Sequence, residues 1–230
     1  PTGHRAAAEG QADAMITALL FDFDHTLVST PIDFALMRRS VVQLCGSFGV
    51  EVADPERKLV LEIVDEAVAQ LDMPFALRLR GMADNCIREV ERGAARGTMP
   101  IAGVAEALER LAAEQRRVAI ITRNCREVVM TALTRVPLAY DLLLTRDDVE
   151  RVKPDPAHAL AALAGLGASR EEALLVGDFR ADIACAVRAG IPGLGVTTGA
   201  STAEELREAG ALDVLPSAAG VPDWLAARGW

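Results

Sequence analysis

The chain has 230 residues, of which 51% are hydrophobic and 25% charged, enough for one large domain or two modest ones with a sizeable core. Its net charge of −9 argues against a nucleic-acid partner, because nucleic-acid binding favours a basic face. Apolar runs stop short of transmembrane length, a signal-peptide pattern is missing and the cysteines form no CxxC pair. We therefore expect a cytoplasmic protein without a membrane partner, a zinc cluster or a disulfide framework.

The predicted elements begin with a tail, a buried strand and a block of helices. Residues 1–15 are rich in Ala, Gly and polar residues, and we interpret them as a flexible tail. The apolar run 16–21 predicts a strand. Helices are predicted to begin at Ser29-Thr30-Pro31, Asp54-Pro55 and Met73-Pro74, the last with one apolar face made of Phe75, Leu79, Met82, Cys86 and Val90. Because a loop of this length would be unusual in a compact domain, residues 30–97 are interpreted as an inserted helical subdomain.

After this helical subdomain, strands and helices alternate to the end of the chain. The predicted strands are 117–122, 140–144, 173–178, 192–196 and 213–215. Continuous aliphatic strands that alternate with helices predict a parallel sheet covered on both faces. The predicted fold class is therefore α/β, with a Rossmann-like core made of residues 16–29 and 98–230 plus the helical subdomain 30–97.

Polar residues follow three of the predicted strands. Asp22 and Asp24 follow the first strand, Thr122 ends another, and Asp178 ends a third. The carboxyl ends of parallel strands meet at one edge of a sheet, where ligands bind. Ionised carboxylates are rarely buried unless they are paired or bind a cation, so this edge is a candidate site for Mg²⁺. Taken alone, the two acids after the first strand are also compatible with an Asx-rich turn.

Two further residues complete the candidate site. Lys153 is one of two lysines beside 22 arginines, and it lies in a turn stiffened by Pro154 and Pro156. With the Thr122 hydroxyl, this point cation could hold a phosphate. Asp182, four residues after Asp178, could bind a metal water or orient its neighbour. A phosphorylated substrate suits this set, because one carboxylate can attack phosphorus while a second moves protons.

These residues resemble the motifs of the haloacid dehalogenase superfamily. The matching segments, in the family's order, are Phe-Asp-Phe-Asp-His-Thr-Leu at 21–27, Ile121-Thr122, Lys153-Pro154, and Gly177-Asp178 with Asp182. The resemblance implies that Asp22 is the nucleophile and a metal ligand. It implies that Asp24 is the general acid/base and gives the metal only its backbone carbonyl. Thr122 and Lys153 would bind the phosphate, Asp178 would bind Mg²⁺, and Asp182 and Thr26 would support the site.

The helical subdomain 30–97, inserted directly after the first motif, is similar to the helical cap of phosphoglycolate-phosphatase-like members. Two positions depart from the family's pattern. His25 stands where glycine is common, and we expect a role in the loop rather than in catalysis. Arg123 stands where a small or amide residue is frequent, and it could bind a second anionic group of the substrate or be a surface arginine. Asn124 is a plausible helix cap.

The sequence therefore predicts a Mg²⁺-dependent phosphatase of a small phosphomonoester, such as phosphoglycolate or a sugar phosphate, working as a monomer or homodimer. A phosphosugar mutase would use the same residues and differ in keeping water from the aspartyl-phosphate. A non-catalytic member that binds phosphorylated ligands or partner proteins is the alternative outside enzymes. Asp24 argues against a dehalogenase. A phosphonate hydrolase would need a Schiff-base lysine in the cap, for which Lys58 is the only candidate.

Overall fold

A computed structural model describes residues 15–230, so all but the last residue of the predicted tail lies outside the described part. Within that part, no helix is both long and apolar enough to span a membrane. The chain divides into two compact units, one formed by residues up to Ser29 with Met99–Trp230, the other by Thr30–Thr98. All four cysteines are free thiols.

The first unit contains a six-stranded parallel sheet with the strand order β5-β4-β1-β6-β7-β8. In chain order the strands of the molecule are β1 (Ala18–Phe21), β2 (Val28–Ser29), β3 (Met99–Pro100), β4 (Arg117–Ile121), β5 (Leu142–Leu144), β6 (Ala173–Gly177), β7 (Gly193–Val196) and β8 (Asp213–Leu215). The helices are α1 (Phe34–Ser47), α2 (Val60–Val68), α3 (Met73–Ala95), α4 (Val104–Ala113), α5 (Arg126–Arg135), α6 (Pro156–Leu166), α7 (Arg180–Ala189), α8 (Ala203–Glu208) and α9 (Val221–Ala226).

Alternation along the central strand divides the core of this unit into two layers. Leu19 and Phe21 of β1 point to the layer that also holds apolar residues of α4, α5 and α9. Ala18 and Leu20 point to the opposite layer, which is closed by α6 and α7. Because successive side chains of a strand face opposite sides, a fully apolar strand requires helices on both faces. The predicted α/β class with a doubly covered parallel sheet is confirmed.

A second, two-stranded sheet was not predicted. Val28 of β2 pairs with Pro100 of β3 in antiparallel register, and Ser29 pairs with Met99. The strands have two residues each, too few for an alternating pattern to be recognised. They join the places where the chain leaves and re-enters the first unit.

The second unit consists of α1, α2 and α3 around its own apolar core. The expected apolar face of α3 is confirmed only in part. Leu79 is buried and Val90 packs against the core, but Phe75 and Met82 are exposed. Ala83 and Ile87, which were not predicted, are buried. The helix predicted near Asp54 begins instead with a 3₁₀ turn, Pro55–Arg57, and α2 starts at Val60.

Candidate active site

The candidate site lies at the carboxyl ends of the strands. Asp22 directly follows β1, and its backbone N–H donates to the Val176 carbonyl of β6 (2.9 Å). Thr122 directly follows β4, and its N–H donates to the Leu144 carbonyl of β5 (3.0 Å). Because β1 lies between β4 and β6, the ends of these strands bring together residues that are far apart in the chain.

Three carboxylates form a cluster at this edge. Asp22, Asp178 and Asp182 each offer an oxygen, and these oxygens lie within 4.8 Å of one another. Burial, followed by repulsion from Asp22 and Asp182, raises the pKa of the Asp178 carboxyl. Burial also raises the pKa of Asp182. The Thr26 hydroxyl donates to Asp178 Oδ1 at 2.8 Å, which links the first predicted motif to the last.

Lys153 supplies a buried positive charge to this cluster. Its Nζ lies 2.5 Å from Asp22 Oδ1 and 2.7 Å from Asp182 Oδ1, and the residue is only 1% exposed. Burial alone would lower the pKa of Lys153, but Asp182 and Asp22 outweigh burial and raise it. The second oxygen of Asp182 accepts the Phe179 N–H at 3.0 Å, so both of its oxygens are engaged. This is the arrangement expected of a supporting residue.

The charges and donor atoms of the cluster fit a hard divalent cation. Three carboxylates face one ammonium, which leaves an excess of negative charge when all are ionised. All of the candidate ligand atoms are oxygens, the donors that Mg²⁺ prefers. Asp22 and Asp178, two of the predicted metal ligands, lie in the cluster. The third, Asp24, was expected to contribute its backbone carbonyl, and this stays a prediction.

The side chain of Asp24 contacts Asn124 in the turn after β4. Asn124 Nδ2 donates to Asp24 Oδ2 at 3.1 Å. The expectation that Asn124 caps a helix is wrong in detail, because Cys125 occupies the N-cap position of α5. Asn124 Oδ1 accepts the Cys125 N–H, and the Asn124 N–H donates to the Thr122 hydroxyl oxygen. The turn after β4 is therefore tied to the loop after β1.

Arg123 lies between Thr122 and Asn124 and is partly exposed. Its backbone carbonyl accepts a hydrogen bond from Arg146 Nη1 at 3.2 Å. The charge of Arg123 contributes to lowering the pKa of His158. Substrate binding by Arg123 stays a prediction.

His158 has two hydrogen-bond partners. Its Nδ1 accepts the Lys153 N–H at 3.4 Å, and its Nε2 lies 3.2 Å from the Leu144 carbonyl. Burial, with the charge of Lys153, lowers the pKa of His158 to about 3. A neutral imidazole with its proton on Nε2 satisfies both contacts. In the sequence, only its position five residues after Lys153 connects His158 with the Lys153 turn.

His25 adopts the left-handed conformation, with φ of 64°. Its N–H donates to the Val28 carbonyl at 2.6 Å, and its own carbonyl accepts from the Thr198 hydroxyl. The backbone therefore explains why glycine suits this position, and histidine is among the residues that tolerate it.

We expect His25→Gly and His25→Asn to change the free energy of unfolding by less than about 1 kcal/mol, because both residues tolerate positive φ. His25→Val should lower it by about 1–2 kcal/mol, because a β-branched side chain adds strain in this region. Urea unfolding of the three variants checks the order. Equal stability of the valine and asparagine variants would contradict the strained loop.

Gly199 lies so close to Asp178 that only glycine fits this position. A Cβ atom at this position would lie 1.7 Å from Asp178 Oδ2 and 2.8 Å from Asp178 Cβ. Gly177 is similar, since its Cβ would lie 2.4 Å from Asp182 Cβ. Backbone therefore passes directly against two members of the carboxylate cluster.

Gly199→Ala is expected to displace Asp178, which Thr26 holds in place. We expect a loss of activity of at least about tenfold and a loss of stability of about 1–3 kcal/mol, as for other overpacked sites. The matched control is Gly220→Ala, because Gly220 has φ of −82° and its Cβ would make only an ordinary 3.6 Å contact. Comparable effects of the two variants in kinetics and unfolding would contradict the prediction.

The raised pKa values of Asp178 and Asp182 predict how stability depends on pH without metal. Each carboxyl binds its proton more tightly in the folded protein than in the unfolded protein, in which its pKa is about 4. Their contribution to the free energy of unfolding is therefore fully present below about pH 4, and it is lost as the pH rises through the raised pKa values of the folded protein.

In a chelator, wild-type protein should lose stability relative to Asp178→Asn as the pH rises from about 5 to about 8. Since His158 is present in both proteins, its own titration cancels in the comparison. Added Mg²⁺ should restore the wild type and have less effect on the variant. Parallel pH profiles of the two proteins in thermal unfolding would contradict the repulsive cluster.

Comparison with known proteins places the chain among hydrolases of one family. The family model for haloacid dehalogenase-like hydrolases matches residues 19–196. The chain is 32% identical over 205 residues to validoxylamine A 7′-phosphate phosphatase of Streptomyces hygroscopicus subsp. limoneus, covering 86% of this chain and 93% of that protein. It is 29% identical over 189 residues to the pyrophosphatase PpaX of Halalkalibacterium halodurans, covering 76% and 81%. It is 28% identical over 215 residues to the phosphoglycolate phosphatase of Salmonella typhimurium, covering 83% and 85%.

Solved structures share the fold. A hydrolase from Pseudomonas syringae matches with a TM-score of 0.70 at 24% identity, over 92% of this chain and 98% of the other. A HAD family hydrolase from Deinococcus radiodurans, with bound phosphate and sodium, matches with a TM-score of 0.64 at 23% identity, over 94% of this chain and 98% of the other. The predicted resemblance, near the phosphoglycolate-phosphatase-like members, is confirmed. This chain is an enzyme and belongs to the haloacid dehalogenase-like hydrolase family.

Proposed function

We propose that the protein is a Mg²⁺-dependent phosphatase that hydrolyses a small phosphomonoester through an aspartyl-phosphate on Asp22. The observation that carries the proposal is that the Asp22 carboxylate contacts the buried ammonium of Lys153 and clusters with the carboxylates of Asp178 and Asp182. Curated relatives with phosphatase and pyrophosphatase names support this class of reaction.

Residues of this chain have distinct roles in the proposed reaction. A carboxylate oxygen of Asp22 attacks phosphorus, the bond to the leaving oxygen breaks, and Asp24 gives that oxygen its proton. Asp24 then takes a proton from water, which attacks the aspartyl-phosphate and regenerates Asp22 with release of phosphate. Lys153 offsets the repulsion between Asp22 and the anionic substrate. The Thr122 hydroxyl and Arg123 hold the phosphate.

Asp22 and Asp178 would hold Mg²⁺, with Asp24 contributing its backbone carbonyl and Asp182 supporting from behind. The cation, when bound, neutralises charge on the phosphate oxygens. Residues 30–97 would act as the cap that selects the substrate. We propose a small phosphomonoester as substrate because the names of the phosphatase relatives describe small phosphorylated molecules.

Lys58 argues against a phosphonate hydrolase. Its Nζ donates to the Ala53 carbonyl at 2.6 Å and forms an ion pair with Glu66. The hydrogen bond from Lys58 lowers the pKa of the Glu66 carboxyl. The Lys58 nitrogen is therefore already engaged by a carboxylate and a backbone carbonyl, whereas a Schiff base requires it to bond to a substrate carbon.

The test is phosphate release from 4-nitrophenyl phosphate and from a panel that includes phosphoglycolate and sugar phosphates. We expect turnover with Mg²⁺, its loss in a chelator, and an intermediate that hydroxylamine intercepts, since acyl phosphates react with that nucleophile. A mutase would convert a sugar phosphate into its positional isomer with little free phosphate. Turnover indifferent to chelation would overturn the proposal, and binding without any turnover would support the non-catalytic alternative.

A further inference from the structure

The side-chain amide of Asn124 has an orientation that its neighbours determine. Its Oδ1 accepts the Cys125 N–H at 2.8 Å. An N–H group can only donate, so the oxygen of the amide must face Cys125 and the NH₂ group must face the other way. Nδ2 then lies 3.1 Å from Asp24 Oδ2. The direction of the hydrogen bond follows from the backbone contact and needs no separate assumption.

Asn124 is also held firmly in place. Its N–H donates to the Thr122 hydroxyl oxygen at 3.1 Å, and its carbonyl accepts the Arg146 N–H at 3.2 Å. The residue is 4% exposed. The donor that faces Asp24 is therefore buried and fixed through the backbone on both sides. Such a group can hold a carboxylate in one orientation.

The bond assigns different tasks to the two oxygens of Asp24. Oδ2 must accept, because the amide N–H that faces it cannot accept a proton from a carboxylic acid. A proton on Oδ2 would make that oxygen a weaker acceptor than a carboxylate or carbonyl oxygen and would therefore weaken a buried hydrogen bond. We propose that Asn124 is a positioning residue that holds Asp24 with Oδ1 as the oxygen that exchanges protons with the leaving group and water. This inference rests on the acid/base role given to Asp24 in the proposed function.

The consequence depends on the leaving group. An alkoxide is a strong base and leaves well only if it receives a proton, whereas 4-nitrophenolate leaves without one. Displacement of Asp24 should therefore slow the hydrolysis of alkyl phosphates far more than the hydrolysis of 4-nitrophenyl phosphate. The comparison is made in kcat/KM, which reports the step in which the leaving group departs. A merely structural role of Asn124 would slow both substrates alike.

The experiment compares Asn124→Leu and Asn124→Asp with wild type. Both variants keep approximately the volume of the side chain and lack the donor, and aspartate retains an acceptor for Cys125. With the best alkyl phosphate of the panel, kcat/KM should fall about 10- to 100-fold, within the range of acid/base effects, and with 4-nitrophenyl phosphate about threefold or less. Arg126→Ala is the control, because it removes contacts of the same turn to Asp148 and Leu143 and none to Asp24.

The outcomes separate the inference from the proposed function. Asp24→Ala serves as the reference and should lose alkyl turnover most strongly. If Asp24→Ala retains alkyl turnover, the acid/base assignment itself fails. If Asp24→Ala loses it while both Asn124 variants slow the two substrates equally, or Asn124→Asp behaves as wild type, the inference on Asn124 alone is overturned. Thermal unfolding of each variant identifies any that do not fold, and Asn124→Asp then carries the comparison.

Discussion

Asp22→Asn is expected to lower kcat/KM for phosphate release by at least about 10³-fold, as the loss of a covalent nucleophile does in other enzymes. An amide is a far weaker nucleophile towards phosphorus than a carboxylate. The substitution also removes one of the charges that face Lys153 and the proposed cation. Steady-state kinetics with 4-nitrophenyl phosphate over a range of Mg²⁺ concentrations measure the effect.

The fold should survive this change. The amide that replaces the carboxylate keeps the volume of the side chain, and Lys153 retains its contact with Asp182. Repulsion from Asp22 contributes to the raised pKa of Asp178, so removing the charge relieves the cluster. Asp223→Asn is the matched control, since its carboxylate is exposed and pairs only with Arg110 among the contacts described. Activity of Asp22→Asn within about tenfold of that control would contradict the nucleophile assignment.

Lys153→Met should both inactivate and destabilise the protein. It leaves Asp22 and Asp182 next to each other in a buried site without the ammonium that pairs with them. Breaking a buried ion pair by removing one partner costs about 3–5 kcal/mol. The loss should be smaller at low pH, because burial already raises the pKa of Asp182 and the carboxyl then becomes neutral. Urea unfolding at two pH values, with activity assays, tests both effects.

The other lysine provides the control for this prediction. Lys58 is partly exposed and pairs with Glu66, so Lys58→Met should cost less than about 1 kcal/mol. Similar losses for the two variants would show that the Lys153 cluster behaves as an ordinary surface pair. A stable but inactive Lys153→Met variant would instead indicate that Lys153 acts on the substrate and does not stabilise the fold.

Several parts of the molecule could be predicted because their signals are local. The strand β1 is a continuous apolar run, and α6 begins at Pro156 and ends before Gly167, both of which punctuate a helix clearly. Asp22, Thr122 and Asp178 follow strands of one parallel sheet, so their common edge follows from topology alone. The face of α3 was predicted only in part, because Leu79 is buried as expected while the apolar Phe75 and Met82 are exposed.

The class of fold, the order of the elements and the chemical groups at the strand ends could all be inferred from the chain alone, because hydrophobic periodicity and strand termini are local properties. The contacts between distant residues became known only from the folded molecule. Folding sets Asn124 against Asp24, Gly199 against Asp178 and His158 against the Leu144 carbonyl. Such contacts depend on distances and directions that arise when separate strand ends meet. A pattern along the chain carries no record of them, because each partner alone has an ordinary local environment.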